Sequence, residues 1–146
     1  MIAPARVAAF RTLQAVENGD AQPATLLARE HRNLTDPRDR ALATDIVIGT
    51  LRWQRALDAS IVTVADRRLD AIDRDILVIL RLSLYQLLHL DRVPASAIVD
   101  DAVSLARGAR GQRATGFVNA VMRTLSRTRD ALGLPPHPGR DAARSA

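Results

Sequence analysis

Six arginines, Arg107, Arg110, Arg113, Arg123, Arg127 and Arg129, lie between positions 107 and 129 with no acidic residue among them. They flank an apolar segment, Gly116-Phe117-Val118-Asn119-Ala120-Val121-Met122-Arg123. Guanidinium groups grip phosphate through a planar fork and stack on bases, so this pattern points to a polyanion, RNA in particular. Residues 1–73 hold ten Arg against ten Asp and Glu, whereas residues 74–146 hold eleven against six. The second half therefore carries the whole formal charge of +5, which predicts a basic face. All 21 basic residues are arginine. Coding bias accounts for the missing lysines but not for the local disappearance of acids.

The candidate phosphate contacts are Arg107, Arg110 and Arg113, on what reads as a loop bounded by Gly108 and Gly111, with Arg123 and Arg127 on the last helix. Arg6 and Arg11 of the first helix are further candidates for the same face. Asn119, Arg123 and Arg127 are four apart and share one helix face; a helix C-terminus also favours cations for structural reasons alone. Asn119, inside an apolar stretch, is expected to be a structural amide bonding a neighbouring helix. One Trp, one Tyr and two Phe leave few platforms for stacking bases, so backbone contact is the stronger expectation.

Other chemistry finds little support. There is no cysteine, and His31, His89 and His137 form no ligand pair at helical spacing, so neither thiolate chemistry nor a metal is expected. Gly108, Gly111 and Gly116 do not make a nucleotide-binding turn, and no serine sits in a nucleophile elbow. Asp100 and Asp101 are adjacent, so on a helix they point about a hundred degrees apart and do not share a proton; solvation or a partnership with arginine is expected. The chain reads as non-catalytic and without a cofactor. The N-terminus has no signal pattern, and the longest apolar stretch is interrupted by Arg81, Ser83, Gln86 and His89, which predicts no membrane span and a cytoplasmic protein.

Apolar residues recur at three and four almost throughout, so the fold class is all-α. The first helix should open at Pro4 and stop near Gly19, and a short second one should cover Ala24 to Arg32. Asp36 caps a segment through Trp53 that bends before Ala65. Gly49 sits inside it among apolar residues, where it costs about 1 kcal/mol relative to alanine, which predicts close approach of another helix. Asp73 caps a helix to about Leu90 that is apolar nearly all round and belongs in the middle of a bundle. Val93-Pro94 restarts the pattern, and Thr115 is the expected N-cap of the last helix. Residues 1–129 thus form one domain, and 130–146, rich in proline, read as a linker or disordered tail.

Two strings, Leu80 to Pro94 (LRLSLYQLLHLDRVP) and Gly116 to Arg123 (GFVNAVMR), resemble the NusB domain family. The resemblance leans to the amino-terminal domain of the RsmB (Sun or Fmu) ribosomal RNA cytosine-C5 methyltransferases, through Asp39 to Trp53 (DRALATDIVIGTLRW) and Leu69 to Leu77 (LDAIDRDIL). It covers residues 4 to 128. It implies a bundle of two packed subbundles with about six to seven helices, and an RNA-binding role. Departures are Ser96 and the Asp100-Asp101 pair, where the family commonly has a His and an Asn-Glu pair. In the methyltransferases the chemistry belongs to a separate carboxy-terminal domain with cysteines and S-adenosylmethionine, neither of which this chain supplies.

The leading expectation is therefore a non-catalytic RNA-binding arm of a ribosomal RNA methyltransferase, partnered by RNA and a methyltransferase domain. The alternatives are a free-standing NusB-type antitermination factor that binds RNA with a NusE-type ribosomal protein, and a structural interaction module that never touches RNA.

Overall fold

The computed structural model describes residues 1–90 and 92–128; the expected tail at 130–146, and Arg129, lie outside them. Seven helices account for most of this stretch: α1 Pro4–Glu17, α2 Pro23–His31, α3 Pro37–Arg52, α4 Gln54–Ala65, α5 Arg74–His89, α6 Ala95–Arg110 and α7 Gln112–Thr128. A 3-10 turn, Leu69–Ala71, leads into α5. No strand occurs among the described residues.

Local chemistry explains most helix starts. Pro4, Pro23 and Pro37 stand in the first turns of α1, α2 and α3, where a missing N–H leaves nothing unpaired. Asp36 accepts from the Arg38 amide at 2.8 Å, and Asp73 from the Asp75 and Ile76 amides at 2.9 and 3.2 Å. Trp53 leaves helical geometry and divides the long third segment into α3 and α4.

The helices form two layers of contact. α1, α2 and α3 pack on one another, as do α4, α5, α6 and α7, and α5 also meets α1 and α3. α5 is accordingly buried from Ile76 through Leu87, the central position its composition requires. At Gly49 the predicted close approach is present: a Cβ there would overlap the Tyr85 ring of α5. The Tyr85 hydroxyl donates to Asp45 Oδ1 at 2.7 Å, fixing the ring over the glycine. Arg81 clamps the centre, with Nε and Nη2 donating to the two Asp58 oxygens at 2.7 and 2.9 Å and Nη1 3.6 Å from Glu17.

One expectation is corrected. The arginine-rich segment is not a loop between Gly108 and Gly111, and Thr115 is not an N-cap. α6 runs through Gly108 to Arg110, and α7 begins at Gln112, so a single residue joins them. Gly111 makes this possible with φ +76°, a conformation open to glycine at no steric cost. Thr115 lies in the first turn of α7 and donates to the Gln112 carbonyl at 2.8 Å. Arg107 and Arg110 are thus displayed by α6 and Arg113 by α7.

Candidate nucleic-acid interface

The one-residue turn sets α6 and α7 side by side. Along α7 the exposed positions Arg113, Gly116, Ala120, Arg123 and Arg127 recur at three and four, forming a single stripe. From Arg113 to Arg127 it extends about 21 Å at 1.5 Å per residue. The opposite side buries Val118, Val121, Met122 and Leu125 in the core. Arg107, exposed near the end of α6, borders the same hairpin and donates from Nε to Gln112 Oε1 at 3.1 Å.

The candidate arginines separate into distinct roles. Arg107, Arg113, Arg123 and Arg127 have no carboxylate within ion-pair distance among the described residues. Arg123 Nε donates to Asn119 Oδ1 at 3.2 Å, and Arg127 Nη2 reaches Thr124 Oγ1 at 3.4 Å. Asn119 therefore bonds its own helix, not a neighbouring one as its apolar setting suggested. The two like charges are close enough to share one anionic backbone.

Arg110 is engaged instead with the start of α5. Its Nε lies 2.8 Å from Asp73 Oδ2 and its Nη2 2.8 Å from an Asp75 oxygen. The hydrogen bond to Asp73 is the main reason its pKa is raised. Burial pushes the Asp73 carboxyl up, but the Arg110 hydrogen bond and charge, with the Ile76 and Asp75 amides, outweigh it and hold the group below its ordinary value. Arg110 thus fastens the α6–α7 corner to the bundle.

Arg6 does not join an exposed face. It is 7% exposed, with Nη1 2.7 Å from Asp101 Oδ2 and Nε donating to Gln86 Oε1 at 2.7 Å. A buried guanidinium needs such partners, and Asp101 accepts the Ala3 amide as well. Arg11 is exposed on α1, 3.8 Å from Glu30. Neither contributes to the α7 stripe.

Arg67, exposed after α4, lies with its guanidinium carbon 4.3 Å from the centroid of the Phe117 ring. This cation–π contact brings another arginine beside α7. Nothing local in the sequence signals it, because the partners belong to different helical hairpins.

Among the described residues there is no group of three or more His, Cys, Asp or Glu able to hold a metal ion. No described helix is long and apolar enough to cross a membrane.

Residues 3–127 match the NusB family. This chain belongs to that family. The NusB-family domain is 35% identical over 127 residues to ribosomal RNA small subunit methyltransferase B of Pseudomonas putida, covering 87% of this chain but 29% of that protein. It is 30% identical over 109 residues to the transcription antitermination protein NusB of Coxiella burnetii, covering 73% of this chain and 78% of that protein. In fold it is similar to a crystal structure of the antitermination factors NusB and NusE in complex with dsRNA, with a TM-score of 0.78 at 21% identity, over 86% of this chain and 95% of that one. T. maritima NusB gives a TM-score of 0.77 at 21% identity, over 87% and 93%. The chain thus spans less than a third of the methyltransferase it matches and most of the antitermination factor.

Proposed function

We propose that this NusB-family domain binds RNA through the α6–α7 hairpin, as the non-catalytic arm by which a ribosomal RNA cytosine-C5 methyltransferase engages small-subunit RNA. The observation that carries the reading is the stripe Arg113, Arg123 and Arg127, bordered by Arg107, none of which is ion-paired to a carboxylate among the described residues. Four cations on one hairpin with small residues between them let a sugar-phosphate backbone lie close to the helix and exchange its counterions for guanidinium groups. Similarity to a ribosomal RNA small subunit methyltransferase supports this choice of RNA class and parent activity. Methyl transfer and its S-adenosylmethionine belong, on this reading, to a catalytic domain outside this chain.

The test is RNA affinity as a function of salt. Log affinity should fall by about 0.7 to 0.9 per phosphate contact for each decade of salt. The double variant Arg123→Ala/Arg127→Ala should weaken binding and flatten that slope by between one and two contacts. Unchanged affinity and slope would remove the stripe from the interface, and no RNA binding at low salt would favour a purely structural module.

A second reading rests on the match to most of the length of a NusB antitermination protein. On it, the domain acts in transcription with a NusE-type ribosomal protein. Adding such a protein should then raise RNA affinity, whereas the methyltransferase reading expects no change.

A further inference from the structure

The groove between α6 and α7 has a charge pattern that phosphate contact does not explain. It is an open groove of about 350 Å³. Asp100, Ser104 and Arg107 of α6 face it with Gly116 and Asn119 of α7, over about 10 Å of the α6 axis. Asp100 is exposed and makes no ion pair or hydrogen bond with any described residue, although Arg107 lines the same groove. Its neighbour Asp101 is taken by Arg6. A free carboxylate on a phosphate-binding face repels the backbone and is favourable there where it meets hydrogen-bond donors.

Asn119 adds a directional constraint. Arg123 can only donate, so the bond from its Nε to Asn119 Oδ1 orients the amide and leaves the NH2 group without a partner among the described residues. The groove therefore presents a pair of acceptor oxygens on α6 and an amide donor on α7. Among RNA bases, the Watson–Crick edge of guanine matches this order, with N1–H and N2–H2 as adjacent donors beside the O6 acceptor. Adenine has no such donor pair, and uracil offers one donor between two acceptors.

We infer that this groove holds one unstacked guanine of the bound RNA, Asp100 accepting from N1–H and N2–H2 and Asn119 donating to O6. The inference rests on the RNA-binding reading and adds base selectivity to it, since recognition of single-stranded RNA works through the edges of unstacked bases. Arg107 at the groove and Arg123 beside Asn119 are placed for the flanking phosphates. Gly116 keeps the groove open: a Cβ there would meet nothing within 4 Å, so a larger side chain at this position blocks the groove without disturbing the bundle.

The experiment compares short uridine oligonucleotides carrying one central guanosine, inosine or adenosine, by fluorescence anisotropy at fixed salt. The unaltered domain should bind the guanosine oligonucleotide about ten-fold more tightly than the other two, since inosine lacks the N2 amino group. Asp100→Asn should abolish that preference while leaving the salt slope intact, and Gly116→Leu should abolish it as well. Equal affinity for the three oligonucleotides, or a preference that survives Asp100→Asn, would overturn the base site and leave the phosphate-binding stripe standing. Failure to bind any of them at low salt would overturn both.

Discussion

Arg6 and Arg11 show how little residue type decides at the scale of one side chain. Both were candidate RNA contacts by charge, yet Arg6 is enclosed by Asp101 and Gln86 while Arg11 lies open beside Glu30. Arg6→Ala strands a largely buried carboxylate, and should lower unfolding free energy by about 3–5 kcal/mol. Arg11→Ala removes an exposed pair and should change it by less than about 1 kcal/mol. Urea denaturation of the two variants checks this, and equal midpoints would contradict the burial of the Arg6–Asp101 pair. The same limit on local reading explains Arg110. The stretch from Arg107 to Arg129 contains no acid, but the carboxylates that neutralise Arg110, Asp73 and Asp75, come from the start of another helix. A count along the chain cannot register a partner brought in by folding. Of the arginines without such partners, Arg123 and Arg127 were legible because helical spacing sets them on one face, whereas Arg113, read as part of a loop, joins their stripe only because α7 begins at Gln112.

At the scale of helices, two glycines test the packing. Gly49→Ala must displace the Tyr85 ring and its bond to Asp45, and should destabilise the domain by about 1–3 kcal/mol although alanine favours helix by about 1 kcal/mol. Gly116→Ala meets nothing and should stabilise by up to about 1 kcal/mol. Thermal unfolding of the pair measures both, and the same sign for each would contradict the contrast in their surroundings. Helix starts were readable in the sequence where a proline or a capping aspartate marks them, as at Pro4, Asp36 and Asp73. The α6–α7 junction was not. Gly108 has the composition of a boundary, but tertiary packing carries α6 through it, and the reversal falls to Gly111 alone.

At the scale of the whole molecule, α5 belongs to both layers, touching α1 and α3 on one side and α4, α6 and α7 on the other. Neither layer can lose it and keep its core. Urea unfolding should therefore be one cooperative transition. The single tryptophan, Trp53, is placed to report it, because it sits at the α3–α4 junction and stacks on His89 of α5 at 5.7 Å. Its fluorescence and the helical circular dichroism signal should share a midpoint; separate midpoints would show that the layers unfold independently. The central role of α5 was legible because its apolar residues leave only narrow polar strips, whereas the pairing of the layers depends on long-range ion pairs such as Arg81 with Asp58 and Glu17.

The single-residue turn at Gly111 has a further consequence, for how this surface can change over generations. Adding or removing one residue there would rotate every position of α7 by about a hundred degrees relative to α6. Removing one would carry Arg123 into the buried place of Met122, and adding one would carry Met122 into the exposed place of Arg123. Substitutions along the exposed stripe alter the surface one side chain at a time, but a change of length at the turn would alter all of it at once. The hairpin can therefore vary its chemistry far more freely than its length.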